Sequence, residues 1–279
     1  MPLTPIQGLW VEGPLTAMEQ LSLRSFLAQG HPYHLYSYDA VPNLPAGAEL
    51  RPAAEVLPAS AVFRYSAEAG GSYAAFSNLF RYRLLHQRGG WWADTDVVCL
   101  RPFDFAAERV FASERRREGG KLCTSCVLKV PAGDAACGDC CEQARCDQTR
   151  ATVWGATGPR LLGRVVREQA LEGSVQSPEV FCPIDWWRAA DLHGEAELPA
   201  AAYAVHLWHE MWRHHGWRKD PCYPSRALYQ RLHARYPARE PAAAAVAASL
   251  PPRRSRRPLR LHQAPPGSSA GSTGRRRPR

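Results

Sequence analysis

The stretch at positions 89–104, GGWWADTDVVCLRPFD, constrains the fold more than any other part of the chain. Its two glycines end a helical pattern, and the aromatic and β-branched residues that follow predict a buried strand. Side chains alternate along a strand, so Asp94 and Asp96 are expected side by side on one face. Two ionised carboxylates on a buried strand repel each other and lose hydration. A divalent cation between them would offset both effects, so the stretch predicts a metal site.

The N-terminal segment predicts the beginning of a parallel sheet. Residues 6–11 (IQGLWV) have the pattern of a strand, 15–29 that of an amphipathic helix, and 34–38 that of a second strand. A strand, a helix and a strand at this spacing open a nucleotide-binding α/β sheet, in which ligands lie beyond the carboxyl ends of the strands. Trp10 ends the first strand and is expected beside the ligand, although an amphipathic tryptophan also serves as ordinary core.

The helix predicted at 73–88 has an apolar stripe and, on a neighbouring face, two polar residues. Asn78 and Arg81 are three positions apart and can point at a common ligand. Without further context, such a pair is typical of a solvated helix face. The apolar stripe consists of Phe76, Leu79, Phe80 and Leu84.

Residues 76–104, FSNLFRYRLLHQRGGWWADTDVVCLRPFD, resemble the sugar-nucleotide-binding region of the DXD-containing glycosyltransferases. That family joins a Ser-Asp-x-x-Arg-Tyr helix to Gly-Gly-x-Tyr-x-Asp-x-Asp, a pattern far more specific than an isolated Asp-x-Asp. It includes glycolipid α1,4-galactosyltransferases, α1,6-mannosyltransferases, capsule enzymes and glucosylating toxins. The resemblance covers roughly residues 5–215. It implies an α/β, GT-A-like nucleotide-sugar-binding fold with a Rossmann-like, mainly parallel sheet flanked by helices.

The resemblance also implies roles for the residues that bind the donor. Trp10 would stack on the uracil ring, and Arg81 would contact phosphate and sugar oxygens with its forked guanidinium. Asp94 would bridge ribose or sugar hydroxyls and contact the metal. Asn78 stands where the family usually has Asp, and an amide brings no charge, so this departure bears on donor preference and on activity. Asp94, Arg81 and Asn78 are the predicted catalytic residues.

The metal shell is expected to contain Asp94, Asp96 and a late histidine. His206 lies in a His-Leu-Trp triplet that resembles the family's C-terminal motif, and imidazole suits Mn²⁺. His209 is the competing ligand. Trp208 and Trp212 are candidates for a loop that closes over the donor and excludes water.

The function implied by the resemblance is the metal-dependent transfer of a sugar from a nucleoside diphosphate sugar to a hydroxyl acceptor, with retention of configuration. The expected cofactor is Mn²⁺ or Mg²⁺, and the expected donor is a UDP-sugar. A saccharide, a lipid-linked saccharide or a protein is the acceptor, in the synthesis of surface or capsular polysaccharide or of glycolipid.

Other interpretations remain open from the sequence. Asp94 and Asp96 also resemble the aspartyl-phosphate motif of haloacid-dehalogenase-type phosphatases, but no clear downstream lysine and paired aspartate follow. An inactive sugar-nucleotide binder is conceivable because of Asn78. A zinc-binding protein is suggested by two Cys-x-x-Cys pairs within 123–140, although buried thiols are the preferred explanation for these cysteines.

The formal net charge of +9 belongs to the C-terminal tail. Residues 238–279 contain ten arginines and one glutamate, which leaves twenty-five basic and twenty-five acidic residues in 1–237. The tail is rich in Pro, Ala and Arg without apolar periodicity, so we expect a glycosyltransferase domain at 1–237 and a disordered tail at 238–279. No aromatic residue lies among the tail charges, which argues against nucleic acid as a partner.

The expected location follows from the same features of composition. The sequence has no long apolar span and its first residues do not resemble a signal peptide, so a soluble, cytoplasmic protein is expected. The basic tail would allow weak peripheral contact with the inner face of the membrane.

Overall fold

The computed structural model describes residues 3–66, 71–146 and 155–238. Within these ranges the chain alternates strands and helices through its first half, as the sequence predicts. The strands are β1 (Ile6–Trp10), β2 (Tyr33–Ser37), β3 (Ala48–Pro52), β4 (Gly90–Ala93), β5 (Val97–Cys99), β6 (Val110–Arg115), β7 (Lys121–Val130) and β8 (Ala204–His206). The helices are α1 (Ala17–Ala28), α2 (Ala74–Arg88), α3 (Ala135–Cys146), α4 (Leu161–Glu168), α5 (Pro178–Phe181), α6 (His209–His215) and α7 (Leu228–Arg235).

Six strands form the central sheet in the order β3-β2-β1-β4-β7-β6. The pairs β1–β2, β2–β3 and β1–β4 are parallel, whereas β4–β7 and β6–β7 are antiparallel. The carboxyl ends of β1 and β4 therefore meet at one edge of the sheet, together with the first half of β7 and the second half of β6. The expected α/β fold with a mainly parallel sheet flanked by helices is confirmed.

The predicted strand through the Asp-x-Asp motif is wrong in one respect. Strand β4 ends at Ala93, and Asp94 to Asp96 form a turn in which the Val97 N–H donates to the Asp94 carbonyl (3.0 Å). Strand β5 then leaves the central sheet and pairs antiparallel with β8, with Val97 opposite His206. The strand breaks because its continuation finds a partner from the C-terminal half of the chain, which local sequence does not reveal.

Apolar layers cover both faces of the sheet. One contains the buried stripe of α2 (Phe76, Leu79, Phe80 and Leu84) with residues of α3 and α4, and the other contains side chains of α1 and α5. Strand β5 is tied to α1 by two hydroxyls. Ser22 donates to the Val97 carbonyl (2.6 Å), and Ser25 accepts from the Cys99 N–H (2.8 Å). These bonds fix the C-terminal side of the Asp-x-Asp turn, whose N-terminal side continues from β4 of the central sheet.

The tail predicted at 238–279 lies outside the described residues apart from Ala238. The division into a domain and a disordered tail stays a prediction. In the part of the chain that the structure covers, no helix has the length and apolar character needed to cross a membrane.

Candidate functional site

A cavity of about 1000 Å³ opens at the edge of the sheet where β1 and β4 end. Its walls come from the ends of the central strands, the first half of α2, the turn after β4 and the beginning of α6. All six residues predicted for the site line it: Trp10, Asn78, Arg81, Asp94, Asp96 and His206. Sheet topology thus brings together residues that are up to 196 positions apart in the chain.

Asp96 lies at the floor of the cavity with its carboxylate held from two sides. His206 on β8 approaches it through Nε2 (3.2 Å), and the His209 backbone N–H donates to the same oxygen (2.8 Å). Burial disfavours the charge on Asp96, but His206 and these two hydrogen bonds outweigh that effect and lower its pKa. Asp96 is therefore an anion whose position is set by the C-terminal half of the chain.

His206 is oriented by the turn that follows β8. Trp208 adopts the left-handed backbone conformation (φ 59°), which is unfavourable for a residue with a side chain and reverses the chain into α6. Its indole lies 4.0 Å from the His206 ring, between centroids, and donates to the Ile184 carbonyl (2.8 Å). Burial opposes a charge on His206, but Asp96 favours it more strongly, and the pKa of His206 is raised.

Asp94 is the more accessible carboxylate and belongs to a network with α2. Trp92 donates to it through Nε1 (2.9 Å), and Arg81 approaches it through Nη1 (3.0 Å). Burial raises the pKa of Asp94, and the Arg81 charge acts in the opposite direction. Arg81 Nη1 also donates to the second oxygen of Asp94 (3.3 Å), and the residue lines the cavity, where a cation or a sugar hydroxyl can approach it.

Arg81 is buried, and most of its donors are used within the protein. Its Nε and Nη2 donate to the carbonyl (3.2 Å) and hydroxyl (3.0 Å) of Ser77. Its Nη1 donates to the carbonyl (2.6 Å) and hydroxyl (3.0 Å) of Ser125 on β7. In this arrangement the guanidinium holds Asp94 between α2 and β7. Its direct contact with a donor phosphate stays a prediction.

The ligand atoms of Asp94, Asp96 and His206 all lie within 4.8 Å of one another. Two carboxylates and one imidazole form the donor set that suits Mn²⁺ and, with the oxygens alone, Mg²⁺. His206 Nδ1 is buried without a hydrogen-bond partner in the described part of the chain, so this histidine is not committed to a purely structural network. The residues therefore fit the implied metal.

The other candidate ligand, His209, faces away from this cluster. Its ring approaches Glu19, with Nδ1 4.0 Å from a carboxylate oxygen, and only its backbone N–H contacts Asp96.

The amide of Asn78 connects α2 to the segment before α4. Its nitrogen donates to the Thr157 hydroxyl (3.3 Å), and its oxygen accepts from the Ser125 hydroxyl (3.3 Å). A Cβ at Gly158 would lie 3.0 Å from the same nitrogen, so the amide is closely packed. An amide both donates and accepts here, which gives the departure from the family's Asp a structural explanation.

Trp10 lies at the mouth of the cavity, partly exposed, with its Nε1 donating to the Gly13 carbonyl (2.9 Å). This bond holds the ring at the carboxyl end of β1, and the stacking of the ring on a nucleotide base stays a prediction.

The expectation that Trp212 belongs to a closing loop is wrong. Its side chain is fully buried, and its Nε1 donates to the Leu207 carbonyl (2.7 Å). It lies among the rings of His193, Trp217 and Tyr229. An apolar cluster under α6 and α7 needs a large side chain there, and sequence spacing does not distinguish such a residue from one in a lid.

The two cysteine pairs do not converge on a common zinc site, although Cys126 lies with Cys182 and His206 in a group whose ligand atoms are within 4.8 Å of one another. Cys123 and Cys126 lie on β7 and Cys137 and Cys140 on α3, all of them buried, and no three cysteines of this run converge within the described ranges. Cys126 lies beside Cys182 instead, with their sulfurs 3.5 Å apart. The phosphatase interpretation also lacks support, because no lysine is found among the described residues that line the cavity.

Among the cavity residues that the sequence interpretation missed are Glu114 and Trp186. Glu114 lies on a short strand, and Trp186 follows a four-residue helix. Neither belongs to a recognisable motif, and only the pairing of β6 with β7 and the packing of α5 on β6 bring them to the site.

Two family models match the chain in succession. The glycosyltransferase sugar-binding region containing the DXD motif matches residues 33–115, and the α1,4-glycosyltransferase conserved region matches residues 147–239.

Curated relatives agree with these models. The lactosylceramide 4-alpha-galactosyltransferase of Pongo pygmaeus is 36% identical over 190 residues, which cover 57% of this chain and 77% of the relative. The enzyme of Homo sapiens with the same name is 30% identical over 190 residues, which cover 57% of this chain and 47% of the relative. The chain thus spans about half the length of the human protein.

Among solved structures, the PaToxG glycosyltransferase superposes with a TM-score of 0.46 at 12% identity, covering 60% of this chain and 70% of that one. The UDP-bound glycosyltransferase domain of the YGT toxin gives 0.45 at 10% identity, covering 62% and 79%.

Proposed function

The chain belongs to the family of DXD-containing glycosyltransferases, and we propose that it transfers a sugar from a nucleoside diphosphate sugar to a hydroxyl acceptor with the help of a divalent metal ion. The observation that carries this proposal is the convergence of Asp94, Asp96 and His206 within 4.8 Å in a cavity large enough for a sugar nucleotide.

The transfer exchanges one bond for another at the anomeric carbon. The bond from this carbon to the terminal phosphate oxygen breaks, and its electron pair leaves with the nucleoside diphosphate. The acceptor oxygen bonds to the same carbon, and its proton passes to the released phosphate. Mn²⁺ or Mg²⁺ held by Asp94, Asp96 and His206 would neutralise charge on the diphosphate.

The protein's own residues orient the donor. Trp10 offers an indole face to the base at one end of the cavity. Asp94, held by Arg81 and Trp92, accepts hydrogen bonds from ribose or sugar hydroxyls. Fixed groups of this kind favour the transition state because they need no rearrangement as charge develops.

The relatives suggest the substrates. Their names specify an α-galactosyl transfer to a lactosyl lipid. We propose a UDP-sugar as donor, retention of configuration, and a saccharide or glycolipid acceptor, in surface polysaccharide or glycolipid synthesis. We also propose a cytoplasmic location at the inner face of the membrane, on the basis of the ten arginines at 238–279.

The first test measures nucleoside diphosphate released from a panel of sugar nucleotides, with Mn²⁺ or with a chelator. We expect one donor to be hydrolysed slowly without any acceptor, and only in the presence of metal. Asp96→Ala should hydrolyse the same donor at least about 100-fold more slowly than the parent, because the variant loses a charged ligand at the reacting phosphates. Asp104→Ala is the matched control, because Asp104 is an exposed aspartate that does not line the cavity. Equal turnover by Asp96→Ala, or turnover in chelator, would contradict the metal-dependent mechanism.

A further inference from the structure

One wall of the cavity carries two side chains that the donor and metal site does not use. They are Glu114 on β6 and Trp186, the first residue of the 3₁₀-helical segment Trp186–His193. We propose that Trp186 and Glu114 form a saccharide acceptor subsite, in which a pyranose ring stacks on the indole and one of its hydroxyls donates a hydrogen bond to the carboxylate. This inference rests on the proposed function and names the acceptor class of that same site.

The strand order puts Glu114 at the opposite end of the cavity from Trp10. Trp10 ends β1, Asp94 follows β4, and Glu114 lies on β6, with β4 and β7 between β1 and β6. Three steps between neighbouring strands span about 14 Å. With the base at Trp10 and the diphosphate at Asp94, the β6 end of the cavity is where the sugar and its acceptor meet.

Trp186 has the exposure of a ligand-stacking aromatic. It is 37% exposed, more than any other large hydrophobic side chain in the described ranges. When a ligand covers the exposed face of an aromatic ring at a cavity wall, apolar surface is removed from water, which favours binding. The carbon-bound hydrogens on one side of a pyranose form an apolar surface of matching size. The Trp187 ring packs edge-on against Trp186, with centroids 5.5 Å apart, and supports it from behind.

Glu114 supplies the polar half of the subsite. In the described part of the chain no arginine or lysine forms an ion pair with it, in contrast to its sequence neighbour Arg115. Burial raises the pKa of Glu114, and His206 and the Thr124 hydroxyl offset this only in part. A partly buried carboxylate without a basic partner can accept strong hydrogen bonds from the hydroxyls of a ligand.

One strand holds both halves of the subsite. Glu114 faces the cavity, and the next residue, Arg115, points to the other side of β6. There Arg115 pairs with Glu179 on α5, approaches Asp185 (3.0 Å) and donates to the Pro183 carbonyl (3.3 Å). These contacts fix the segment just before Trp186 to β6. The ion pairs of Arg115 therefore hold the Trp186 segment at a fixed position relative to Glu114.

The test compares transfer with hydrolysis in the full chain, using the donor that the hydrolysis panel identifies. The acceptor probes are lactose, maltose and diacetylchitobiose, with a serine-containing peptide as the alternative. Trp186→Ala should raise the KM for the preferred disaccharide roughly tenfold and lower the ratio of transfer to hydrolysis by a similar factor. Trp186→Phe should restore most of the loss, because it keeps a ring. Glu114→Gln should lower the same ratio.

Saturation-transfer NMR on the disaccharide supplies a readout independent of turnover. Signal transferred to the sugar should be present in the parent and absent in Trp186→Ala. Trp187→Phe is the matched control, because it changes the neighbouring tryptophan, keeps a ring behind Trp186 and does not line the cavity.

The proposal is overturned if the parent hydrolyses a donor while Trp186→Ala and Glu114→Gln transfer to the disaccharide as well as the parent does. It is also overturned if none of the disaccharides accepts sugar or receives saturation, and the peptide does. Failure of the parent to hydrolyse or bind any sugar nucleotide is a different result, which refutes the proposed function itself.

Discussion

At the scale of single residues, the site is a set of charges that the fold holds before any ligand arrives. Asp94 is tied to Arg81, and Asp96 is tied to His206 and the His209 N–H. Each carboxylate thus has a basic partner from a different part of the chain. This arrangement lets two buried anions remain close together, with ligand atoms near enough to share a cation. A buried histidine outside the cavity, His31, also has fixed partners.

His31 predicts a pH dependence of stability. Its ring is 1% exposed, Nδ1 donates to the Thr4 carbonyl (2.9 Å), and Nε2 accepts from the Phe103 N–H (2.8 Å). Burial lowers the pKa of His31, and the bond to Thr4 offsets this only in part. Protonation at Nε2 would also break the bond from Phe103.

The sign of the effect follows from the lowered pKa. The unfolded chain binds this proton near pH 6.5 and the folded chain only at lower pH, so stability falls as pH drops below 6.5. We expect urea unfolding between pH 7.5 and 5.5 to show a loss about 1 kcal/mol larger for the parent than for His31→Gln, which cannot titrate. The exposed His214→Gln should behave like the parent. Equal pH profiles for the parent and His31→Gln would show that His31 is not the cause.

At the scale of elements, local sequence patterns predicted most helices and strands of the first half, whereas contacts distant in sequence determined where the strand at Asp94 breaks and with which strand β5 pairs. The helix at 73–88, the first strand and the helix at 15–29 have the expected bounds within a few residues, because each has its own periodicity. The break in the strand at Asp94 and the pairing of β5 with β8 were not predictable, since the partner strand comes more than 100 residues later. Trp186 and Glu114 were missed for the same reason.

The turn between α2 and β4 is the element that local sequence specified best, and it supports a second prediction. Gly89 has φ 62°, and a Cβ there would lie 2.8 Å from the Pro131 carbonyl carbon. Gly133 also has a positive φ (77°), but a Cβ there would meet nothing within 4 Å. Gly133→Ala should therefore cost about 1 kcal/mol from the backbone conformation alone.

Gly89→Ala should cost about 3 kcal/mol in the free energy of unfolding, because overpacking against backbone adds to the same conformational term. Urea denaturation of both variants measures the two values under identical conditions. A similar loss in the two variants would mean that the backbone near Pro131 moves away without cost, and that the turn tolerates a side chain.

At the scale of the whole molecule, charge is divided unevenly along the sequence. Residues 1–237 contain equal numbers of acidic and basic residues, so this part of the chain has no formal net charge. The net charge of +9 comes from residues 238–279. We therefore expect catalysis to depend on residues 1–237 and electrostatic attachment to a membrane to depend on the tail. These two contributions are separable by experiment.

Replacing the ten tail arginines with glutamine changes the net charge from +9 to −1 without shortening the chain. We expect the parent to bind phosphatidylserine-containing vesicles weakly at low salt, to lose that binding at about 0.5 M salt because the Debye length falls below 5 Å, and not to bind neutral vesicles. The variant should bind neither vesicle, while its donor hydrolysis in solution stays equal to that of the parent. Co-sedimentation measures the first property and nucleoside diphosphate release the second. Equal binding by the parent and the variant would assign the membrane contact to residues 1–237. If the parent does not bind the vesicles, the charge of the tail does not attach the protein to lipid.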